Sequence, residues 1–117
     1  MEIRTKRVYD APSEDDGFRV LVDRLWPRGL TKDRVGADAW MKDLAPSTEL
    51  RKWFRHEQPK WTEFKQRYYQ ELNQKPQAVD QLRRAMEKSP VTLLYAAQDA
   101  ERNHAVALKE FLVKRST

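Results

Sequence analysis

Val20-Leu21-Val22-Asp23-Arg24-Leu25-Trp26-Pro27-Arg28-Gly29 begins as an apolar strand and ends as a rigid, cationic loop. Phe18, Val20 and Val22 share one face under the two-residue period of a strand, and Leu21 adds apolar surface to the other. The stretch therefore reads as a buried strand running to Asp23. Pro27 confines Trp26 to extended backbone, because its ring clashes with the residue before it. Gly29 admits positive φ. A core strand that ends in a polar cluster is how α/β proteins present their sites.

The flanking sequence supplies the rest of the domain. Ile3 to Val8 is a strand whose interruptions, Arg4, Lys6 and Arg7, suit a sheet edge. Ala11 to Gly17 is a loop with the acidic run Glu14-Asp15-Asp16, read as solvated or as folded over the basic loop to compete with an anion. Thr31 caps a short helical turn through Arg34 that Gly36 ends, and Ala37 to Leu44 is a third short strand with helix as the alternative. Ser47 is an N-cap for a helix with Leu50, Trp53 and Phe54 on one face, stopped at Gln58-Pro59. Lys60 to Asn73 carries Trp61, Phe64, Tyr68 and Leu72 on one stripe. Pro76 to Lys88 turns Val79, Leu82, Ala85 and Met86 inward.

Val91 to Ala97 is a continuous apolar run, the pattern of a central strand buried on both faces. Asp99 or Asn103 caps a last helix with Ala105, Leu108, Phe111 and Leu112 inward and Lys114 and Arg115 at its C-terminal end. The order β-β-(short α)-β-α-α-α-β-α predicts an α/β fold. It is expected as a single compact domain over residues 1–117, with a small mixed sheet of about four strands packed with about four helices.

Composition bounds the function. A chain of 117 residues makes one domain, and one of that size buries about 65% of its unfolded surface. Cysteine is absent, which removes disulfides, thiolate metal sites and cysteine nucleophiles together. No apolar run approaches the roughly 20 residues of a membrane span, and Met1 to Arg7 has no apolar segment behind its charges. The expected location is cytoplasmic, with no membrane partner. The formal net charge of +5 favours an anionic partner, although 18 Asp and Glu residues interleave with the bases and most charges read as solvated surface. The only glycines are Gly17, Gly29 and Gly36, so glycine-rich phosphate loops are excluded, and no Gly-x-Ser-x-Gly elbow occurs. The two histidines lack metal-ligand spacing, so neither a metal nor a cofactor is expected. His56, near a helix end, is explained by the helix dipole.

Two strands end in polar loops. One supplies Asp23, Arg24, Trp26 and Arg28, the other Asp99, Asn103 and His104. If the strands are parallel neighbours, both loops emerge at one sheet edge, where open α/β sheets bind ligands. The candidate ligand-binding residues are Arg24, Trp26, Arg28, Lys42 and Asn103: arginines to clamp a phosphate or carboxylate, an exposed Trp26 to stack, and donors at a helix start. The candidate catalytic residues are His104, as acid/base, and Asp99 or Asp23, as the carboxylate that orients it. The competing structural reading pairs Asp23 with Arg24 or Arg28, packs Trp26 on the core and has His104 donate to a carbonyl.

Val22-Asp23-Arg24-Leu25-Trp26-Pro27-Arg28-Gly29, Leu44-Ala45-Pro46-Ser47, Leu50-Arg51-Lys52-Trp53-Phe54 and Leu93-Leu94-Tyr95-Ala96-Ala97, with Asp99 and Asn103-His104, resemble the YeaO-like branch of the domain-of-unknown-function 488 family. The resemblance covers nearly the whole chain and implies a small bacterial cytosolic α/β protein. It supplies motifs and no mechanism. Longer relatives carry cysteines and a Cys-His-Arg after the last strand. Here that loop is Ala96-Ala97-Gln98-Asp99, leading to Asn103-His104-Ala105, so thiol chemistry does not transfer. The functional expectation is a module binding an anionic small molecule or nucleic acid through phosphate. The alternatives are a small hydrolase or transferase using His104 on a phosphorylated substrate, and a protein–protein interaction module.

Overall fold

The computed structural model describes residues 2–55 and 57–114; the expectations for His56 and Arg115 lie outside the described residues. In chain order the elements are β1 (Ile3–Arg7), β2 (Phe18–Leu21), α1 (Lys32–Val35), β3 (Ala39–Trp40), α2 (Thr48–Phe54), α3 (Trp61–Asn73), α4 (Pro76–Lys88), β4 (Val91–Tyr95) and α5 (His104–Lys114). This is the order read from the sequence, and the fold is α/β.

The four strands are arranged β1-β4-β2-β3, and every pairing is parallel. The sequence reading expects a mixed sheet; here the physics of the connections decides otherwise. Tight hairpins join antiparallel strands, whereas each strand here is followed by a long loop or by helices that carry the chain back. β4, from the far end of the chain, inserts between β1 and β2. Leu93 is in register with Thr5 on one side and Val20 on the other. All five residues of β4 are buried, as its uninterrupted apolar run predicts. β1 is an edge strand, which accounts for its three basic residues.

β3 is shorter than expected. Met41 N–H donates to the Leu21 carbonyl, and the chain then tightens into a 3-10 turn at Lys42–Leu44. The pairing of β2 with β4 continues past the strand, with Val22 N–H donating to Leu94 O at 3.1 Å.

Alternation along β2 divides the core. Val20 and Val22 join Leu93, Phe64, Tyr68 and Leu108 in the larger cluster, which the long helices cover. Leu21 joins Val8, Leu94 and the α1 residue Val35 on the other side, covered by Trp26, Leu30 and Ala37 from the segments flanking α1. No described helix is long and apolar enough to cross a membrane.

The acidic run is neither solvated throughout nor folded over the basic loop. Ser13 and Asp16 form a reciprocal capping box. The Asp16 carboxylate is buried, receives Lys6 Nζ at 2.9 Å and the Ser13 N–H at 3.0 Å, and pairs with the Arg19 guanidinium. Arg19, itself buried, donates onward to Val35 O at 2.7 Å and Gly36 O at 3.0 Å. Thr92 Oγ1 donates to Asp16 O at 2.7 Å. Asp16 and Arg19 together thereby tie β1, β2, β4 and α1, the β4 link being made to the Asp16 main-chain carbonyl. Burial pushes the Asp16 carboxyl up, but Lys6, the Ser13 N–H and Arg19 outweigh it and hold the group below its ordinary value.

A depressed carboxyl contributes stability that is present above the unfolded-state value and lost as pH falls through the folded-state value. Asp16→Asn should therefore destabilise the protein by about 3–5 kcal/mol at pH 7, as loss of one partner of a buried ion pair does. The difference from the parent should narrow in acid. Urea unfolding at pH 7 and pH 3 checks this; equal midpoints at pH 7 would remove the cluster from the account.

Candidate functional site

Because β2 and β4 are parallel neighbours, their C-terminal ends open at one sheet edge. Asp23 leaves β2 there. Its Oδ2 accepts the Ala96 N–H at 3.0 Å, joining the two strand ends. Its Oδ1 lies 2.7 Å from His104 Nε2, with both side chains nearly buried. The two atoms meet off the hydrogen-bonding direction, and neither has a hydrogen-bond partner among the described residues.

Beside this pair is a cavity of about 290 Å³. Its polar lining is Asp23, Arg24, Arg51, Lys52 and His104; its apolar lining is Ala45, Pro46, Phe54, Phe64 and Ala97. Arg24 reaches Pro46 O and Ala45 O only at 3.4 Å, so its guanidinium keeps most of its donor capacity. Arg51 and Lys52 are exposed on α2. None of the three cations forms an ion pair among the described residues.

The wall that carries Arg51 and Lys52 is fixed from α3. Ser47 caps α2 by accepting the Leu50 N–H, while its own N–H and hydroxyl donate to Glu71 at 2.8 and 2.6 Å. The buried Tyr68 hydroxyl donates to the Leu44 carbonyl, holding the chain just before Ala45 and Pro46. Phe54 stacks on Phe64 with ring centroids 4.3 Å apart.

A family model described as the inactive DUF488-N3 subclade matches residues 2–117. The chain belongs to this family. It is 46% identical over 112 residues to the uncharacterized protein YeaO of Escherichia coli, covering 96% of this chain and 97% of the relative. Uncharacterized proteins of Mycobacterium bovis and Mycobacterium tuberculosis are each 43% identical over 110 residues, covering 94% of this chain and 92% of theirs. No solved structure matches the chain.

In this member of the subclade, Asp23, Arg24 and His104 come together on the cavity; the other nominated residues stand elsewhere. Trp26 is half-buried rather than exposed. It donates from Nε1 to Leu30 O at 2.6 Å and meets Trp40 edge-on at 5.3 Å, on the sheet face away from the long helices. Arg28 is exposed, its carbonyl accepting the Tyr9 hydroxyl at 3.1 Å, and it does not line the cavity. Lys42 lies over the Trp40 ring at 4.6 Å. Asn103 is buried and caps α5: Oδ1 accepts the Val106 N–H at 3.0 Å, and Nδ2 donates to Asp99 O at 2.8 Å. Asp99 shapes the same turn by accepting the Glu101 and Arg102 N–H groups.

Arg51 and Lys52 are the lining residues that sequence reasoning misses. The Leu50 and Phe54 face indicates which side of α2 is buried, but nothing local shows that this helix stands across from the ends of β2 and β4.

Asp23→Ala should cost about 2 kcal/mol, because it leaves the Ala96 N–H without its acceptor and His104 without its carboxylate. Arg51→Ala and Lys52→Ala, at exposed positions, should each stay within about 0.5 kcal/mol of the parent. Denaturant midpoints measured side by side check the contrast; the reverse order would contradict the cavity architecture described.

Proposed function

We propose that this protein is a binding module for an anionic ligand, with phosphate of a nucleotide or nucleic acid as the group recognised, and that the Asp23–His104 cavity is its site. The observation that carries the reading is the convergence of Arg24, Arg51 and Lys52 on one cavity with no ion-pair partner among the described residues. Arg24, half-buried beside the apolar wall, acts in a lower effective dielectric than bulk water, so its attraction for an arriving anion is strengthened. Arg24 and Arg51 offer planar forks for bidentate contact, and Lys52 adds a point charge. The family description, an inactive subclade, favours binding over turnover. A cytoplasmic setting fits the cysteine-free, basic composition.

A second reading rests on the Asp23–His104 contact. His104 would exchange a proton with a phosphorylated substrate, with Asp23 holding the ring and the cations stabilising developing charge.

Titration with mononucleotides and short oligonucleotides at low and moderate salt tests both. Arg24→Ala should weaken binding about tenfold, the scale of one charge-assisted contact, and flatten the salt dependence. Arg28→Ala, outside the cavity, should stay within about twofold on the same scale. Equal effects in the two variants, or none in either, would count against the site. Product formation that disappears in His104→Ala while binding persists would favour the enzymatic reading.

A further inference from the structure

We propose that the cavity selects a phosphomonoester carrying a small apolar or aromatic body, rather than a phosphodiester within a nucleic-acid strand; this rests on the anion-binding reading above. Charge is the first ground. Three cations face the cavity, and its single carboxylate, Asp23, is already engaged by the Ala96 N–H and by His104. The uncompensated charge suits a phosphomonoester, which carries roughly −1.5 to −2 at pH 7. A diester or a carboxylate carries a single negative charge and would match fewer of the three cations.

Size and lining are the second ground. A cavity of about 290 Å³ stands at the small end of ligand sites. It has room for one head group and a ring-sized body. Phe54 and Phe64 reach it with only 3% and 2% of their surface exposed, so its floor is apolar and firmly packed. Inorganic phosphate would leave that floor wet, whereas a phosphorylated ring would displace water from it.

Calorimetric titration of the full chain with phenyl phosphate, methyl phenyl phosphate and inorganic phosphate tests the inference. Phenyl phosphate should bind at least about tenfold more tightly than either of the others, and Arg51→Ala and Lys52→Ala should each reduce its affinity about tenfold. Their exposed positions on α2 keep both variants folded, which circular dichroism confirms. Equal affinity for monoester and diester would overturn the inference and leave the anion site standing. Equal affinity for phenyl phosphate and inorganic phosphate would overturn the apolar body. Oligonucleotide binding that is lost in Arg24→Ala, with no binding of phenyl phosphate, would likewise overturn it and keep the broader reading. No binding of any anion would remove both.

Discussion

β4 sits between β1 and β2, hydrogen-bonded to both and buried along its whole length. Every other feature follows from that insertion. A strand with no polar residue facing solvent must be covered on both faces, so the helices from α2 to α5 take one side and the Trp26-containing loop takes the other. Parallel pairing with β2 then brings two distant segments, the one starting at Asp23 and the one starting at Ala96, to the same edge. The Asp23 carboxylate closes the junction by accepting the Ala96 N–H. The candidate site is therefore a product of topology before it is a product of side-chain chemistry.

Two groups of charges in this molecule invite opposite readings. Around Asp16, one carboxylate meets Lys6 and Arg19, and Arg19 donates further to the Val35 and Gly36 carbonyls. The Asp16–Arg19 pair is buried and its contacts are distributed over four elements, which is the signature of a structural tie. At the cavity the balance is different. Arg24, Arg51 and Lys52 have no ion-pair partner among the described residues, and the Asp23–His104 contact is close without being aligned. Cations that line one cavity without a counterion keep their charge and donors for an arriving anion, which is why the second group is read as functional.

Much of the fold was legible in the chain. Period-2 alternation from Phe18 and the unbroken run at Val91 to Ala97 marked the strands, the second of which ends two residues earlier, at Tyr95. The caps at Thr31 and Ser47, and Pro76 opening α4, gave the helix starts. Pairing direction was not legible, because it depends on where β4 inserts and no local pattern encodes that. Asp16 escaped for a similar reason: an acidic run looks solvated until its partners, Lys6 and Arg19, are folded against it. At the site, residues adjoining the ends of β2 and β4 could be nominated, but their directions could not. Asn103 took the cap role read for it or Asp99 and not the ligand role, Trp26 turned onto the second core cluster, and Arg51 and Lys52 arrived from a helix with no sequence signal linking it to the strand ends.

The proposed anion site lies at the junction of β2, β4 and α2. Backbone amide NMR of the full chain during titration with adenosine monophosphate tests it most directly. The account predicts saturable shifts concentrated at Asp23, Arg24, Arg51, Lys52, Ala97 and His104, with Arg28 and Lys42 little changed. Shifts centred on Arg28 and Lys42, or scattered over the basic surface without saturation, would contradict it.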